Sequence, residues 1–294
     1  MVRDRLSPSA LVVEGGAMRG IFAAGALDGF HERRYRPFDF CIGVSAGATN
    51  LASWLAGQHS RAFTVITDHS WRPEFINFRR FLRGGHALDL DWMFEICLKE
   101  IPLDQQALFA QATPLIVVTT CVETGQPVYT HVTLENVERL LKATCAVPLA
   151  YRHSPELKGV AMADGGVADS IPVVEAYNRG VRHITVVLSQ ASGHRMASFK
   201  APWLIRRAMA RTPALAEAIL RRSVRYNEAM DFLQKPPEDC QVRIIAPPIE
   251  FGVKRFTKNL SRLEAGYRMG KEAAEVYYHE QMEVNVSSGY KRAG

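Results

Sequence analysis

Residues Phe38–Ala56 read FDFCIGVSAGATNLASWLA, and this stretch decides the fold. Phe38–Ile42 is a short apolar run, which predicts a buried strand. Ala46–Ala56 is rich in small residues at helical spacing, which predicts a helix able to pack close to a sheet. Between them stands Gly43-Val44-Ser45-Ala46-Gly47. A serine on a sharp strand-to-helix turn projects its hydroxyl above the sheet edge. Glycine two positions before and two after removes side chains that would collide with the neighbouring strand and helix. The helix start aims free N–H groups and its positive dipole end at the serine, favouring an attacking oxygen and a developing oxyanion alike. The competing reading is a glycine turn with a helix-capping serine. A strand before and a helix after are the context that a nucleophile elbow requires, and they favour the catalytic reading.

Upstream, Ala10–Val13 is an apolar run meeting Gly15-Gly16, and Gly20 to about Arg34 has helical spacing with Ile21, Ala24 and Leu27 turned inward. Strand, helix, strand, helix within the first 56 residues predicts an α/β fold with a parallel sheet, covering helices and right-handed crossovers. Downstream, residues His59–Gln111 read as mostly helical. Pro114–Cys121 is the strongest strand and forms a hairpin with Gln126–His131. Leu134–Ala146 is a helix stopped by Pro148, Val160–Ala163 a strand, Ile171–Asn178 a short helix and His183–Leu188 another buried strand. From Arg195 to Arg225 the chain becomes basic, with Trp203, Leu204 and Ile219 among the interleaved apolar residues. That pattern predicts one or two basic amphipathic helices, which could contact an anionic membrane; packed helices with a solvated basic face are the plainer alternative. Pro236-Pro237 marks a linker, Val242–Ala246 a last strand and Asn259–Met282 a long terminal helix, with a frayed tail after Asn285.

The 294 residues are 47% hydrophobic, enough for a full core, and carry a net charge of +6. That mild basic excess suits an ordinary surface better than a nucleic-acid binder. The cysteines Cys41, Cys97, Cys121, Cys145 and Cys240 are odd in number and form no CxxC pair. They read as free thiols in a reducing compartment, with neither a zinc site nor a disulfide framework. The start carries no apolar run fit for a signal peptide, and no stretch of about 20 apolar residues exists, so a cytoplasmic location is expected.

Gly15-Gly16-Ala17-Met18-Arg19-Gly20 also lies between a strand and a helix. Its glycines let backbone N–H groups converge on an anion, as in an oxyanion hole. A P-loop would need Lys-Ser/Thr after Gly20, where Ile21 and Phe22 stand, and Ala17 occupies the second glycine position of a dinucleotide fingerprint. For the base, serine hydrolases mostly use histidine. No histidine after Ser45 sits in a context that reads as catalytic; His183 begins a strand and His279 lies in the terminal helix. Asp164 ends an apolar strand and is followed by Gly165-Gly166. A carboxylate there could take a serine proton, although an Asx turn accounts for the same residues.

Taken together, the Gly15–Gly20 loop, the Gly43–Gly47 elbow and Asp164-Gly165-Gly166 resemble, in order and spacing, the patatin-like phospholipase family. Ala143-Thr144-Cys145-Ala146-Val147-Pro148 is similar to a further stretch of that family, with Thr144 replacing a serine. The resemblance covers about Ala10 to Leu188 and is closest to the bacterial members. It implies a three-layer α/β/α patatin-like fold with a mostly parallel central sheet. A catalytic core would span residues 8–190, followed by a mainly helical C-terminal extension over 191–294 with one strand near 242–246. It implies a lipid acyl hydrolase in which Ser45 is nucleophile and Asp164 its sole partner, with the oxyanion hole in the Gly15–Gly20 loop and no metal or cofactor. Ala17 replaces a common third glycine but keeps its N–H. The implied partner is a lipid or acyl-ester substrate and not a nucleic acid; the peripheral contact with an anionic membrane through Arg195–Arg225 lies outside the resemblance and rests on the basic amphipathic pattern alone. Two rivals stand beside it: a hydrolase of small esters with a Ser-Asp-His triad using His183 or His194, and a non-catalytic lipid-binding regulator.

Overall fold

The computed structural model describes residues 8–290, with side chains of the last helix described through Glu283. The charged stretch at 1–7 and the last four residues of the expected frayed tail lie outside the described residues.

The strands are β1 (Ser9–Val13), β2 (Phe40–Val44), β3 (Leu115–Cys121), β4 (Pro127–His131), β5 (Glu156–Leu157), β6 (Val160–Asp164), β7 (His183–Val187) and β8 (Gln241–Ile245). The helices are α1 (Gly20–Glu32), α2 (Ala46–Leu55), α3 (Arg61–Thr64), α4 (Phe78–Leu82), α5 (Leu90–Glu100), α6 (Gln105–Phe109), α7 (Val137–Thr144), α8 (Val173–Asn178), α9 (Pro202–Ala208), α10 (Pro213–Gln234) and α11 (Leu260–Tyr290). The strands build one mixed sheet. β3, β2, β1, β7 and β8 run parallel, while β4 and β6 join β3 antiparallel and β5 extends β6.

Alternation along the central strands sorts their side chains into two cores, as a period of two dictates. Leu11, Val13, Cys41, Leu115 and Val117 face α1, α2, α7 and α11. Ala10, Val12, Ile42, Val44, Ile116 and Val118 face α8 and α10. The result is an α/β/α sandwich whose central strands are buried on both faces, which is why they read as continuous apolar runs.

Several boundaries differ from the sequence reading. β2 starts at Phe40 and runs through Gly43 to Val44, because Phe38 turns into an aromatic cluster with Phe30 and Trp54 instead of pairing. α7 begins at Val137, after a turn in which Thr133 N–H donates to Asn136 Oδ1. The tail expected to fray after Asn285 instead continues α11 to Tyr290, since adding residues to a formed helix is favourable once the nucleus exists. The basic segment breaks into α9 and α10 at Pro213, which sits in the first turn of α10. Its cations do not all face solvent. Arg225 donates to the Ala168 carbonyl, and Arg222 Nε to the Ser170 hydroxyl.

α1 and α11 approach closely because both carry glycine at the crossing. A Cβ on Gly25 would lie 2.0 Å from the Tyr267 carbonyl oxygen, and one on Gly270 2.0 Å from that of Phe22. Tyr267 also donates to the buried Asp28 at 2.7 Å. Gly25→Val is therefore expected to lower stability by at least the ~1–3 kcal/mol typical of overpacking. Gly193→Ala, where the new methyl meets nothing within 4 Å, serves as control in the same urea titration; equal midpoints would refute the tight crossing.

Candidate active site

Three strands bring the two central residues together. β4 pairs with β3 over Ile116–Thr120 and so occupies one edge of it throughout. β2 and β6 must then share the other edge. β2 runs parallel to β3 and ends with Val44 opposite Val118; β6 runs antiparallel and ends with Asp164 opposite Thr119. The two carboxyl ends meet head to head, one residue apart in register. Ser45 leaves one, and its Oγ donates to Asp164 Oδ2 at 2.9 Å.

The elbow has the strain its sequence suggests. Ser45 sits at φ 52°, ψ −128°, a conformation that non-glycine residues hold only when the surroundings enforce it. Thr144 is a principal enforcer. Its buried hydroxyl accepts the Ser45 N–H at 2.8 Å and donates to the Val118 carbonyl at 2.6 Å. The flanking glycines are needed for packing: a Cβ on Gly43 would lie 2.6 Å from Ala48 Cα, and one on Gly47 2.5 Å from the Val13 carbonyl oxygen.

Asp164 is held as firmly. Its N–H donates to the Ala146 carbonyl at 2.9 Å, and Gly166 N–H donates to Oδ1 at 2.7 Å, which leaves Oδ2 for the serine. Gly165 abuts the Val118 carbonyl and Gly166 sits beneath the carboxylate. Burial pushes the Asp164 carboxyl above its ordinary range; Arg222, the Ser45 hydroxyl, the Gly166 N–H and Arg255 act against that rise. A thiol stands nearby, but burial pushes Cys145 up to about 12, so it stays protonated and weakly reactive.

The Gly15–Gly20 loop lies over this junction. Ala17–Arg19 form a 3-10 turn, with Ala17 in the left-handed region at φ 51°. Arg19 N–H donates to Gly16 O, Gly20 N–H to the carbonyls of Ala17 and Met18, and Met18 N–H to Arg255 O at 3.4 Å. Gly15 packs on the Ser45 side chain, and Ala17 and Met18 line the same cleft as Ser45. The Arg19 side chain turns inward to Glu14 at 4.0 Å, and Glu14 accepts the Ser189 N–H at 2.6 Å.

Ser45 opens into a cavity of about 170 Å³ walled by helix stripes. α2 contributes Ala46, Thr49, Asn50 and Ser53; α5 contributes Leu90, Met93, Phe94, Cys97 and Leu98; α7 and its cap contribute Glu138, Leu141 and Cys145. Each set follows helical i, i+3/i+4, i+7 spacing, so the cleft tracks two helical turns, about 10.5 Å, away from the serine.

Among the described residues no histidine nitrogen hydrogen-bonds to Ser45 or Asp164. His183 lies at the amino end of β7, opposite Ser9, whereas Ser45 follows the carboxyl end of the parallel β2. His194 meets the Tyr226 ring edge-on, with centroids 5.8 Å apart. One group of possible metal ligands, His86, Asp91 and His153, lies near the surface, but Asp91 is already engaged by Lys142 and by the Tyr151 hydroxyl, and His86 Nδ1 accepts the Arg152 N–H. Sequence reasoning missed Glu14, Arg222 and Arg255. No local motif marks these three, which meet only in the fold. Thr144 did carry a signal, its place in Ala143–Pro148, but not its role.

A family model described as patatin-like phospholipase matches residues 11–177, and a second, described as a domain of unknown function (DUF6363), matches residues 212–285. The chain is 30% identical over 269 residues to the uncharacterized protein YjjU of Escherichia coli (strain K12), covering 89% of this chain and 74% of that one. Among solved structures, VipD from Legionella pneumophila is similar in fold, with a TM-score of 0.50 and 13% identity. The match spans 92% of this chain and 66% of VipD.

Because burial raises its folded-state pKa, the Asp164 carboxyl favours folding fully below the unfolded-state value, and that contribution is lost as pH rises through the raised one. Asp164→Asn is therefore expected to show a higher urea midpoint than the wild type at pH 7, the gap closing as pH falls toward the ordinary carboxylate range. A gap that widened on acidification would contradict the assigned direction.

Proposed function

The chain belongs to the patatin-like phospholipase family, and from that premise we propose that it is a serine acyl hydrolase of lipid esters working through a Ser45–Asp164 dyad. The observation that carries the reading is the 2.9 Å hydrogen bond from Ser45 Oγ to Asp164 Oδ2 on a strained elbow at the mouth of an apolar cleft.

In this mechanism Ser45 Oγ attacks the ester carbonyl while its proton passes to Asp164 Oδ2. The raised carboxyl pKa brings the base nearer to neutral operation, and burial of the pair keeps bulk water from competing for the hydrogen bond. Within the Gly15–Gly20 loop the N–H groups of Met18, Arg19 and Gly20 already have backbone acceptors. Gly15, Gly16 and Ala17 are left as the oxyanion donors, and loss of one such donor typically costs about 10²–10³ in turnover. The tetrahedral intermediate collapses by breaking the bond to the alcohol oxygen, which takes the proton from Asp164. Water activated by the same carboxylate then cleaves the acyl-serine. The apolar stripes of α5 and α7 suit the acyl chain, each buried methylene contributing roughly 0.8 kcal/mol.

The triad alternative would need a histidine at the dyad, and His183, at the amino end of β7 while Ser45 follows the carboxyl end of the parallel β2, is badly placed for that. The non-catalytic alternative is separable by reactivity. Ser45 is expected to label with a fluorophosphonate probe, and Ser45→Ala and Asp164→Asn are each expected to cut short-chain esterase turnover by about a thousandfold or more with far-ultraviolet circular dichroism unchanged. Full rate in Ser45→Ala would sink the assignment, and a histidine substitution that abolished labelling would revive the triad.

The same reading extends to where the enzyme works. Among the described residues no helix is long and apolar enough to cross a membrane. α9 presents Trp203, 63% exposed, and Leu204 beside Lys200 and Arg207, a combination that suits shallow insertion into an anionic cytoplasmic leaflet. Co-sedimentation with phosphatidylglycerol vesicles, reduced in Trp203→Ser, is the expected result; absence of binding by the wild type would exclude this contact.

A further inference from the structure

Arg61, the first residue of α3, borders the cleft that holds Ser45. Its Nη1 donates to Ser53 Oγ at 2.9 Å and its Nε to the Ile101 carbonyl at 3.0 Å. Ser53 is the last α2 residue on the cleft wall, seven positions after Ala46, so the guanidinium stands about 10.5 Å along the cleft from the elbow. α7 gives the same length independently. Cys145 lies against Ser45 at one end. Glu138, seven residues earlier, borders the other end beside Gln105, whose Nε2 donates to Glu138 Oε1 at 2.8 Å. An apolar wall that includes Met93, Phe94 and Leu141 thus ends in polar groups.

This guanidinium is short of a counter-charge. Of its five N–H donors it commits one at Nε and one at Nη1. Among the described residues no carboxylate pairs with it and Nη2 meets no acceptor. Nor is Nη2 sealed inside the protein as Arg19 Nε is, so a half-buried residue bordering the cleft keeps donors to spare. Burial lowers the Arg61 pKa and only the Cys97 thiol acts against that fall; burial in turn raises Cys97, which keeps it neutral. Glu138 is exposed, bonded to Gln105, and does not act on Arg61. A saturated acyl chain reaching this depth would press its methyl end on a cation and strip it of water without replacing a bond. A carboxylate at the chain end would instead take two spare N–H groups in the paired geometry that guanidinium and carboxylate share.

The length of the cleft fixes the length of the chain. Three bonds of an extended chain span about 3.8 Å, or about 1.3 Å each, so about eight bonds cover the way from the elbow to Arg61. We propose that Arg61 is the far subsite of the Ser45 cleft and takes an ionised carboxylate, so that the hydrolase prefers esters of dicarboxylic acids about nine carbons long, with the ester at Ser45 and the free carboxylate at Arg61, over plain fatty acyl esters of equal length. This rests on the Ser45 reading above and names the acyl group that the site takes.

The test uses the full chain. kcat/KM is measured on 4-nitrophenyl esters in pairs, a monocarboxylic acid and the dicarboxylic acid of equal length, at about six, nine and twelve carbons. In the wild type the dicarboxylic ester is expected to lead its plain partner about 10- to 100-fold near nine carbons, and to lose that lead at the other two lengths. A cleft without an available cation would reverse the order at every length, since the carboxylate would be buried unpaired; that result, or equal rates throughout, overturns the proposal. In Arg61→Gln the lead is expected to disappear, with the loss mainly in KM, and Arg61→Lys to restore part of it. A proportional fall on both members of the pair would instead assign Arg61 to folding and overturn the subsite. The wild-type series decides by itself if Arg61→Gln does not fold. A separate arm needs no turnover: titration calorimetry of monomethyl nonanedioate and of methyl nonanoate into Ser45→Ala. Tighter binding of the former that disappears in Ser45→Ala/Arg61→Gln supports the subsite even if no ester is hydrolysed. Equal binding of the two, or binding of neither, refutes it. Failure of the wild type to label with fluorophosphonate would remove the Ser45 reading without touching this second arm.

Discussion

Everything at the site depends on the way one edge of β3 is divided between two strands that approach from opposite directions. β2 supplies Ser45 and β6 supplies Asp164, and their registers against Val118 and Thr119 fix the distance between the two side chains before any loop is considered. Ladder registers are costly to slip, because a shift of one residue turns every buried side chain of a strand to the wrong face. The Ser45–Asp164 pair is thus positioned by the sheet itself, and Thr144, bonded both to Ser45 and to the Val118 carbonyl, locks the junction.

That placement has an electrostatic cost. A carboxylate in a buried junction disfavours its own charge, and the molecule offsets this with one serine hydroxyl, one backbone N–H and the nearby arginines. The balance leaves the Asp164 carboxyl raised, the state that the proposed role of proton acceptor calls for. The same burial that raises the Asp164 carboxyl keeps the Cys145 thiol protonated.

The sequence made part of this legible. Gly43 to Gly47, the Gly15–Gly20 loop and Asp164-Gly165-Gly166 are local strings, and local strings report local geometry: an elbow, a donor-rich turn, a strand end. The central strands were equally readable, because residues buried on both faces form unbroken apolar runs. What could not be read was anything set by long-range pairing. β6 is legible only as a short strand ending in an aspartate, yet its value lies in running against β3. Arg222 looked like part of a solvated basic face. It turns inward because its face of α10 also carries Tyr226 and packs on the sheet. The end of α11 was misjudged for a related reason: Val286 to Tyr290 are weak helix formers alone, but they follow a helix already nucleated.

The first helix is sealed by the last. α1, which follows the glycine loop directly, lies under α11 at the Gly25–Gly270 crossing, and the loop itself is fastened to the carbonyl of Arg255. A chain still emerging from the ribosome has made Ser45 and the glycine loop long before it has made the parts that cover and fasten them. At about 5–20 residues per second, roughly 10 to 50 s separate the exit of the elbow from that of α11. Throughout that interval the nascent chain holds Ser45 without its finished surroundings.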